Sequence, residues 1–206
     1  MVEMLDANIF VLSIYDSTYL KAVKKFISSN GDPLPYSLFN EISSLFSELH
    51  ILFLEIRSDL KRDVPFDDIQ ALKDLNNNFD NIVSFLKNKS KDFKDRKSFF
   101  EVLDRCLDRI HSIDAWVDTV SRYPDTQTKE REIINKKRAL LGRLKKIDGL
   151  HNSDLKIIAI LNNFYRNNKE KVLFVTRDNG IYKNKSLLQK YFPSVKIGKI
   201  SSYVSD

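Results

Sequence analysis

Four acidic residues in this sequence stand where an α/β protein places the groups that do chemistry. Asp6 and Asp178 each follow a short apolar run typical of a buried strand, and Glu41 and Asp154 each lie near the start of a stretch with helical period. Because the carboxyl ends of parallel strands and the N-termini of helices meet at one edge of a sheet, we expect these carboxylates to lie together. Clustered carboxylates repel one another, so the pattern favours a hard divalent cation such as Mg²⁺ or Mn²⁺.

The elements that must position the first two acids lie near the N-terminus. Residues Val2 to Leu5 are predicted to form a strand, and Asp16 or the residue after it can cap a helix that runs to Ser29. After two prolines, Ser37 can cap a further helix that carries Glu41 near its first turn. The N-terminal part therefore predicts a β–α unit followed by a helix.

The elements that carry the other two acids lie after residue 149. Ser153 can cap a helix with Asp154 in its first turn, and the continuous apolar run Val172 to Val175 is typical of a strand inside a parallel sheet. A short helix from Ser186 to Tyr191 and a last strand around Val195 to Ile197 complete the pattern. Alternating strands and helices at both ends of the chain predict one parallel sheet.

The middle of the chain has a different character. Apolar residues recur at steps of three and four in three stretches, near residues 72–86, 99–120 and 129–147, and no strand-like alternation interrupts them. Such stripes usually pack against other helices. The sequence thus predicts a core of residues 1–55 and 149–206, interrupted by an all-helical insertion at 56–148.

Positive charge is concentrated in this middle segment. The chain carries a net charge of +6 and has a pI near 9.2, while residues 129–146 alone carry +6 and residues 87–97 carry +4. Basic segments beside an acidic centre suit a polyanionic partner, although long exposed helices also use lysine simply for solvation. The candidate contacts to such a partner are Lys136, Lys137, Arg138, Arg143, Lys145 and Lys146.

The composition narrows the class of protein. A single cysteine, Cys106, cannot form an internal disulfide or a thiolate metal site, and three histidines far apart in sequence do not make a zinc motif. No apolar run approaches the roughly 18 residues that span a bilayer, and the N-terminus does not resemble a basic signal region. We therefore expect an ordered, soluble, cytoplasmic protein.

Four sequence blocks resemble those of PIN-domain ribonucleases. The blocks are MLDANIF, PYSLFNEISSL, HNSDLKIIAIL and VLFVTRDNGI, and each contains one of the four acids. Their order and the spacing within each half are similar to those of small toxin-type members, and the resemblance covers about residues 1–55 and 149–200. It implies a three-layer α/β/α fold with a central parallel sheet, into which the long helical segment is inserted.

The resemblance also implies roles for individual residues. The four acids would be the catalytic metal ligands: Asp6, Glu41, Asp154 and Asp178. Asn8 and Thr176 would orient these ligands by hydrogen bonding. Many family members carry a further acid at the position of Gly180, so this chain has only the minimal acidic set.

The function implied by the resemblance is a Mg²⁺- or Mn²⁺-dependent ribonuclease acting on single-stranded or looped RNA, with a protein inhibitor or a second copy left open as partners. The alternative is a non-catalytic PIN-like protein that binds RNA or acts as a scaffold. A phosphoacceptor of the receiver type also clusters aspartates, but it needs a lysine after a later strand, where this chain has Arg177 and Asp178. Taken singly, Glu41 and Asp154 are also ordinary residues for a helix N-terminus.

Overall fold

A small parallel sheet lies within a mostly helical chain. The computed structural model describes residues 1–29, 34–69, 72, 79–92, 96–120 and 126–204. In these residues the strands are β1 (Val2–Leu5), β2 (Val172–Thr176) and β3 (Val195–Lys199), all parallel in the order β1-β2-β3. All three strands that the sequence predicted are present, and β2 lies at the centre because its side chains are the most continuously apolar.

Helices make up most of the rest of the described chain. They are α1 (Ala7–Ser13), α2 (Ser17–Ser29), α3 (Tyr36–Lys61), α4 (Asp80–Asp92), α5 (Arg96–Val120), α6 (Thr126–Leu144), α7 (Asn152–Asn167), α8 (Asn179–Lys183), α9 (Lys185–Tyr191) and α10 (Ile200–Val204). A 3₁₀ turn spans Phe66–Asp68. Within the described ranges no helix is long and apolar enough to cross a membrane. The sequence also predicts helix ends at Asn30 and Gly31 and at Tyr123 and Pro124, and a core position at Leu75, and all five residues lie outside the described ranges.

One face of the sheet is covered by α2 and α10. The Tyr203 hydroxyl of α10 donates to Glu3 Oε2 at 2.9 Å, and Lys25 Nζ of α2 donates to the Tyr203 carbonyl at 3.1 Å. Helix α7 contacts β2 and β3, and its Asn162 accepts the Ser194 N–H at 3.0 Å just before β3. The prediction of a mixed α/β fold with a parallel sheet is confirmed, while the three-layer PIN-like arrangement stays a prediction.

Helix α1 was not predicted from the sequence. It begins directly after Asp6, whose extended backbone (φ −64°, ψ 144°) ends β1 and makes it the N-cap residue. Its central residues, Ile9 to Leu12, are all buried. Because a helix buried on every side has no polar face, it shows no amphipathic period that would distinguish it from a strand.

N-cap residues were predicted for three helices, and the structure corrects two of them. Helix α2 starts as expected, because Asp16 Oδ1 accepts the Thr18 N–H at 2.7 Å. The prediction that Ser37 caps α3 is wrong, since Pro35 is the cap residue. Glu41 therefore lies in the second turn of α3 rather than near its first.

The predicted cap of α7 is also wrong, because His151 rather than Ser153 precedes the helix. The helix thus starts at Asn152, two residues earlier than a Ser153 cap would allow. Asp154 nevertheless lies in the first turn, as expected. It is the third residue of the helix and still lies where a negative charge complements the helix dipole.

The N-terminus of α3 is capped from a distance by Glu130 of α6. The Glu130 carboxylate is buried and accepts the backbone N–H groups of Tyr36 and Ser37 at 2.7 and 2.9 Å, together with the Ser37 hydroxyl. Pro35 cannot supply a side-chain acceptor for these N–H groups, so the carboxylate takes the place of a local cap. Glu130 thereby joins the helical middle of the chain to the helix that carries Glu41.

Replacing Glu130 by alanine is expected to destabilise the fold by about 2 kcal/mol, since the two amide donors at the start of α3 lose a charged acceptor. Chemical denaturation measures the change. Glu132→Ala is the matched control, because Glu132 is exposed and its oxygen lies 3.9 Å from Lys136 Nζ in the same helix. The control should stay within about 0.5 kcal/mol of wild type. Equal losses for the two variants would contradict the capping role.

The predicted insertion shares one hydrophobic core with the sheet-bearing part. Trp116 of α5 stacks on Phe10 of α1, with ring centroids 6.2 Å apart, and meets Phe26 of α2 edge-on at 5.6 Å. Helix α3 also runs through the predicted boundary at residue 56 without a break and contacts both α5 and α6. The middle segment is helical where it is described, and it packs directly on the elements that carry the acids.

Candidate active site

Asp6 is the most deeply buried of the four acids. It follows β1, is 2% exposed, and its N–H donates to the Val175 carbonyl of β2 at 3.0 Å. The hydroxyl of Thr176, fully buried at the end of β2, donates to Asp6 Oδ2 at 2.7 Å. Burial raises the pKa of Asp6, and the bond from Thr176 opposes that rise. Thr176 is thus placed to orient the Asp6 carboxylate.

Asp178 is held in place by the turn that follows β2. Its N–H donates to Thr176 Oγ1 at 2.9 Å, so one threonine hydroxyl contacts two of the acids. Its Oδ1 accepts the N–H groups of Gly180 and Ile181, the second at 3.0 Å, and thereby caps α8. Both capping bonds are accepted by Oδ1, so Oδ2 of Asp178 makes no bond to the turn.

Glu41 and Asp154 complete the group from α3 and α7. Burial, followed by the negative charge of Asp6, raises the pKa of Glu41 to about 7. Burial, followed by the charges of Asp6, Glu41 and Asp178, raises the pKa of Asp154 to about 7. The charges of the other three acids therefore all act on Asp154, which links the four acids that the sequence singled out into one electrostatic group.

The group has the chemistry of a cation site but not a closed geometry. Among the described residues neither Glu41 nor Asp154 accepts a hydrogen bond or pairs with a cation, so their charge is uncompensated. An oxygen-only donor set of this kind fits a hard divalent ion. Within the same residues, however, no three His, Cys, Asp or Glu side chains are arranged to hold a metal ion.

Two glycine backbones fix the spacing between the last two acids. A Cβ built on Gly180 would lie 2.0 Å from the Gly149 oxygen, and Gly149 itself has a positive φ of 76°. Asn184 Nδ2 adds a clamp, donating to the Gly180 carbonyl at 2.9 Å and to the Asp148 carbonyl at 3.2 Å. The turn after β2 and the loop before α7 therefore form one close-packed unit.

This contact also accounts for glycine at position 180, because any side chain there would meet the Gly149 backbone. No local sequence signal relates two glycines that are 31 positions apart. The contact and the Asn184 clamp were accordingly not predicted.

Asn8 contacts the site through its backbone. Its N–H helps to hold the Asp6 carboxylate and so lowers the pKa of that group, whereas its side chain is exposed. Asn8 and Asp178 line a cleft of about 270 Å³, together with Arg177 and with Asn81 and Ile82 of α4. Asp178 therefore borders an open space, and the opposite wall of that space belongs to the helical middle of the chain.

The predicted RNA-contacting residues lie on or just after α6. Five of the six are exposed and Lys137 is half-buried. Lys136 Nζ forms an exposed ion pair with Glu132 at 3.9 Å, whereas Arg138 donates to the neutral Asn135 Oδ1 at 2.8 Å. Helix α6 packs on α7, the helix that carries Asp154.

The metal-free protein is expected to lose stability as the pH rises from about 4 to about 7. The pKa values of Glu41 and Asp154 rise on folding from 4.5 and 3.8 to about 7, so the folded state holds protons that the unfolded chain releases. Stability from these groups is present below the unfolded values and is lost as the pH rises through the folded ones. Thermal melts in EDTA should show a smaller pH dependence for the Glu41→Gln/Asp154→Asn double variant. An equal slope in both proteins would contradict the assignment.

Comparison with known proteins gives no assignment. No protein-family model, no curated protein and no solved structure matches this chain. The resemblance to PIN domains therefore stays a prediction from the four sequence blocks.

Proposed function

We propose that the protein is a Mg²⁺- or Mn²⁺-dependent ribonuclease. The observation that carries this proposal is the convergence of Asp6, Glu41, Asp154 and Asp178 from four separate elements on one electrostatically coupled site. Gathering four carboxylates is unfavourable unless a cation offsets their repulsion. Proteins retain such an arrangement at sites where the strain serves a function.

Each acid has a distinct part in this site. Thr176 and the turn after β2 hold Asp6 and Asp178 in fixed orientations. Because these two residues are already ordered, cation binding costs less conformational entropy. Glu41 and Asp154 retain protons near neutral pH in the metal-free protein and release them when a cation binds. A bound divalent ion supplies Lewis-acid activation of water and of the scissile phosphodiester.

RNA is the proposed substrate because the four sequence blocks resemble ribonucleases and the neighbouring surface is basic. The exposed lysines and arginines of α6 stand next to α7 and can neutralise phosphates without reading sequence. Their charge would offset the repulsion between the acids and an approaching phosphate. Single-stranded or looped RNA fits best, because side chains cannot reach the bases of an RNA duplex through its deep, narrow major groove.

A second candidate function is non-catalytic RNA binding by the same fold. It is favoured by the lack, in the described part of the chain, of three side chains arranged to hold a metal ion. In that case the acids would be a vestige of the site, and the basic helices would carry the function. Binding of a divalent cation separates the two candidates.

Addition of Mn²⁺ or Mg²⁺ is expected to raise the melting temperature, because a ligand that binds only the folded state adds stability by mass action. At a hundredfold excess over Kd the gain is about 2.7 kcal/mol, or roughly 5–10 °C for a chain of this size. Asp6→Asn should lose this shift. Glu48→Gln, an exposed position on the same helix as Glu41, should keep it. If calorimetry detects no binding at millimolar metal near neutral pH, the hydrolase proposal is wrong.

A further inference from the structure

A second cleft lies along the same two segments as the cleft beside Asp178. The first cleft is lined by Leu12 near the end of α1 and by Ile82 of α4. The second, of about 280 Å³, is lined by Tyr15, just past α1, and by Phe85 of α4, each three residues further along. Because three residues make about one helical turn, the two clefts are neighbours, and we call them together the groove.

The second cleft combines aromatic rings with positive charge. The rings of Tyr15 and Phe85 are 4.9 Å apart, tilted by 30°, and half-buried. Lys89, Arg105 and Arg109 complete its polar lining, which contains no carboxylate among the described residues. The charged lining of the groove is therefore Asp178 with Arg177 in the first cleft and basic residues alone in the second.

Two arginines are fixed at defined points along this path. Arg109 donates to the Ile14 carbonyl at 2.8 Å, so its guanidinium is anchored beside Tyr15. Arg177, which precedes Asp178, lies near enough for its charge to act on the Tyr15 hydroxyl. Two positive charges therefore lie near Tyr15, and one of them, Arg177, adjoins Asp178 of the candidate metal site.

We propose that the groove binds a single RNA strand and directs it to the acidic site, with a base against Tyr15 and Phe85 and phosphates at Arg105 and Arg177. The inference rests on the proposed function, which identifies the polyanion as RNA. Aromatic faces accept any unpaired base, and arginine guanidinium groups bind phosphate oxygens in pairs. A duplex would keep its bases stacked and unavailable to the rings.

Binding of a fluorescent single-stranded RNA, measured by anisotropy in EDTA, tests the groove without cleavage. The Arg105→Ala/Arg177→Ala variant should bind at least fivefold more weakly. Its log–log salt slope should be shallower by about 1.4, which corresponds to two lost phosphate contacts on a single strand. The matched control is Lys24→Ala/Lys190→Ala, which removes the same charge from exposed positions that line neither cleft. The control should keep wild-type affinity and slope.

Stacking is tested separately. Phe85→Leu keeps an apolar side chain but removes the ring, and it should weaken binding about fivefold or more, whereas Tyr15→Phe keeps the ring and should bind like wild type. In the wild-type protein, RNA containing 4-thiouridine should crosslink to Tyr15 or Phe85, as located by mass spectrometry. This measurement does not depend on the folding of any variant.

Unchanged affinity in the groove variants, with crosslinks located elsewhere, would overturn the proposal. If wild type then still cleaved RNA with Mn²⁺, the groove alone would be wrong and the proposed hydrolase activity would stand. Loss of binding in the groove variants, with crosslinks to the aromatic pair, would support the groove even if wild type bound no metal and cleaved nothing. The two proposals are therefore distinguishable.

Discussion

Removing any one of the four carboxyl charges is expected to lower the rate of metal-dependent RNA cleavage by about a hundredfold or more. The variants are Asp6→Asn, Glu41→Gln, Asp154→Asn and Asp178→Asn. The loss has the size expected when a group that stabilises transition-state charge is removed from a preorganised site. Single-turnover cleavage of a labelled RNA in Mn²⁺ measures it.

These variants should remain folded, which makes the comparison informative. An amide oxygen at residue 6 can still accept the Thr176 hydroxyl, and an asparagine at residue 178 can still cap α8. At residues 41 and 154 a neutral amide removes repulsion, so metal-free stability near pH 7 should not fall. A contaminating nuclease would cleave equally in all preparations, so a loss of cleavage in the variants excludes it. Cleavage by purified Asp6→Asn at the wild-type rate would show that the activity does not come from these acids and would overturn the assignment.

The sequence predicted the placement of the acids better than the details around them. The apolar runs that form β1 and β2 are unambiguous, and a residue just beyond a parallel strand lies at the ligand-binding edge of the sheet. That is why the positions of Asp6 and Asp178 followed from the sequence. Asp154 also followed, because the error of two residues in the start of α7 left it in the first turn.

The interactions that complete the site are long-range, and no local pattern encodes them. Glu130 reads as part of a basic helical run, yet it caps a helix that starts 94 positions earlier. Likewise, the end of α1 and the helix α4 come together only because the helical middle of the chain packs on the N-terminal elements. Helical period predicts that a stripe is buried, but not against which surface it is buried. For that reason the groove could not be predicted from the sequence.

Gly180→Ala is expected to destabilise the protein by about 3 kcal/mol and to weaken metal binding, since the new methyl group would overlap the backbone of Gly149. The Cβ would lie 2.0 Å from the Gly149 oxygen and 2.6 Å from its carbonyl carbon. Backbone atoms cannot move aside as a flexible side chain can, so the turn after β2 must separate from the loop before α7. Thermal and denaturant unfolding measure the loss.

The matched control for this variant is Gly142→Ala in α6, where an added Cβ meets nothing within 4 Å. There the change should stabilise the protein by about 0.5–1 kcal/mol, because alanine is the better helix former. The two substitutions are chemically identical and opposite in expected sign, so a general sensitivity to glycine replacement cannot mimic the result. Since the contact sets the distance between Asp154 and Asp178, Gly180→Ala should also weaken Mn²⁺ binding under conditions where the variant is still folded. Unchanged stability and unchanged metal affinity would show that the two backbones are not held together.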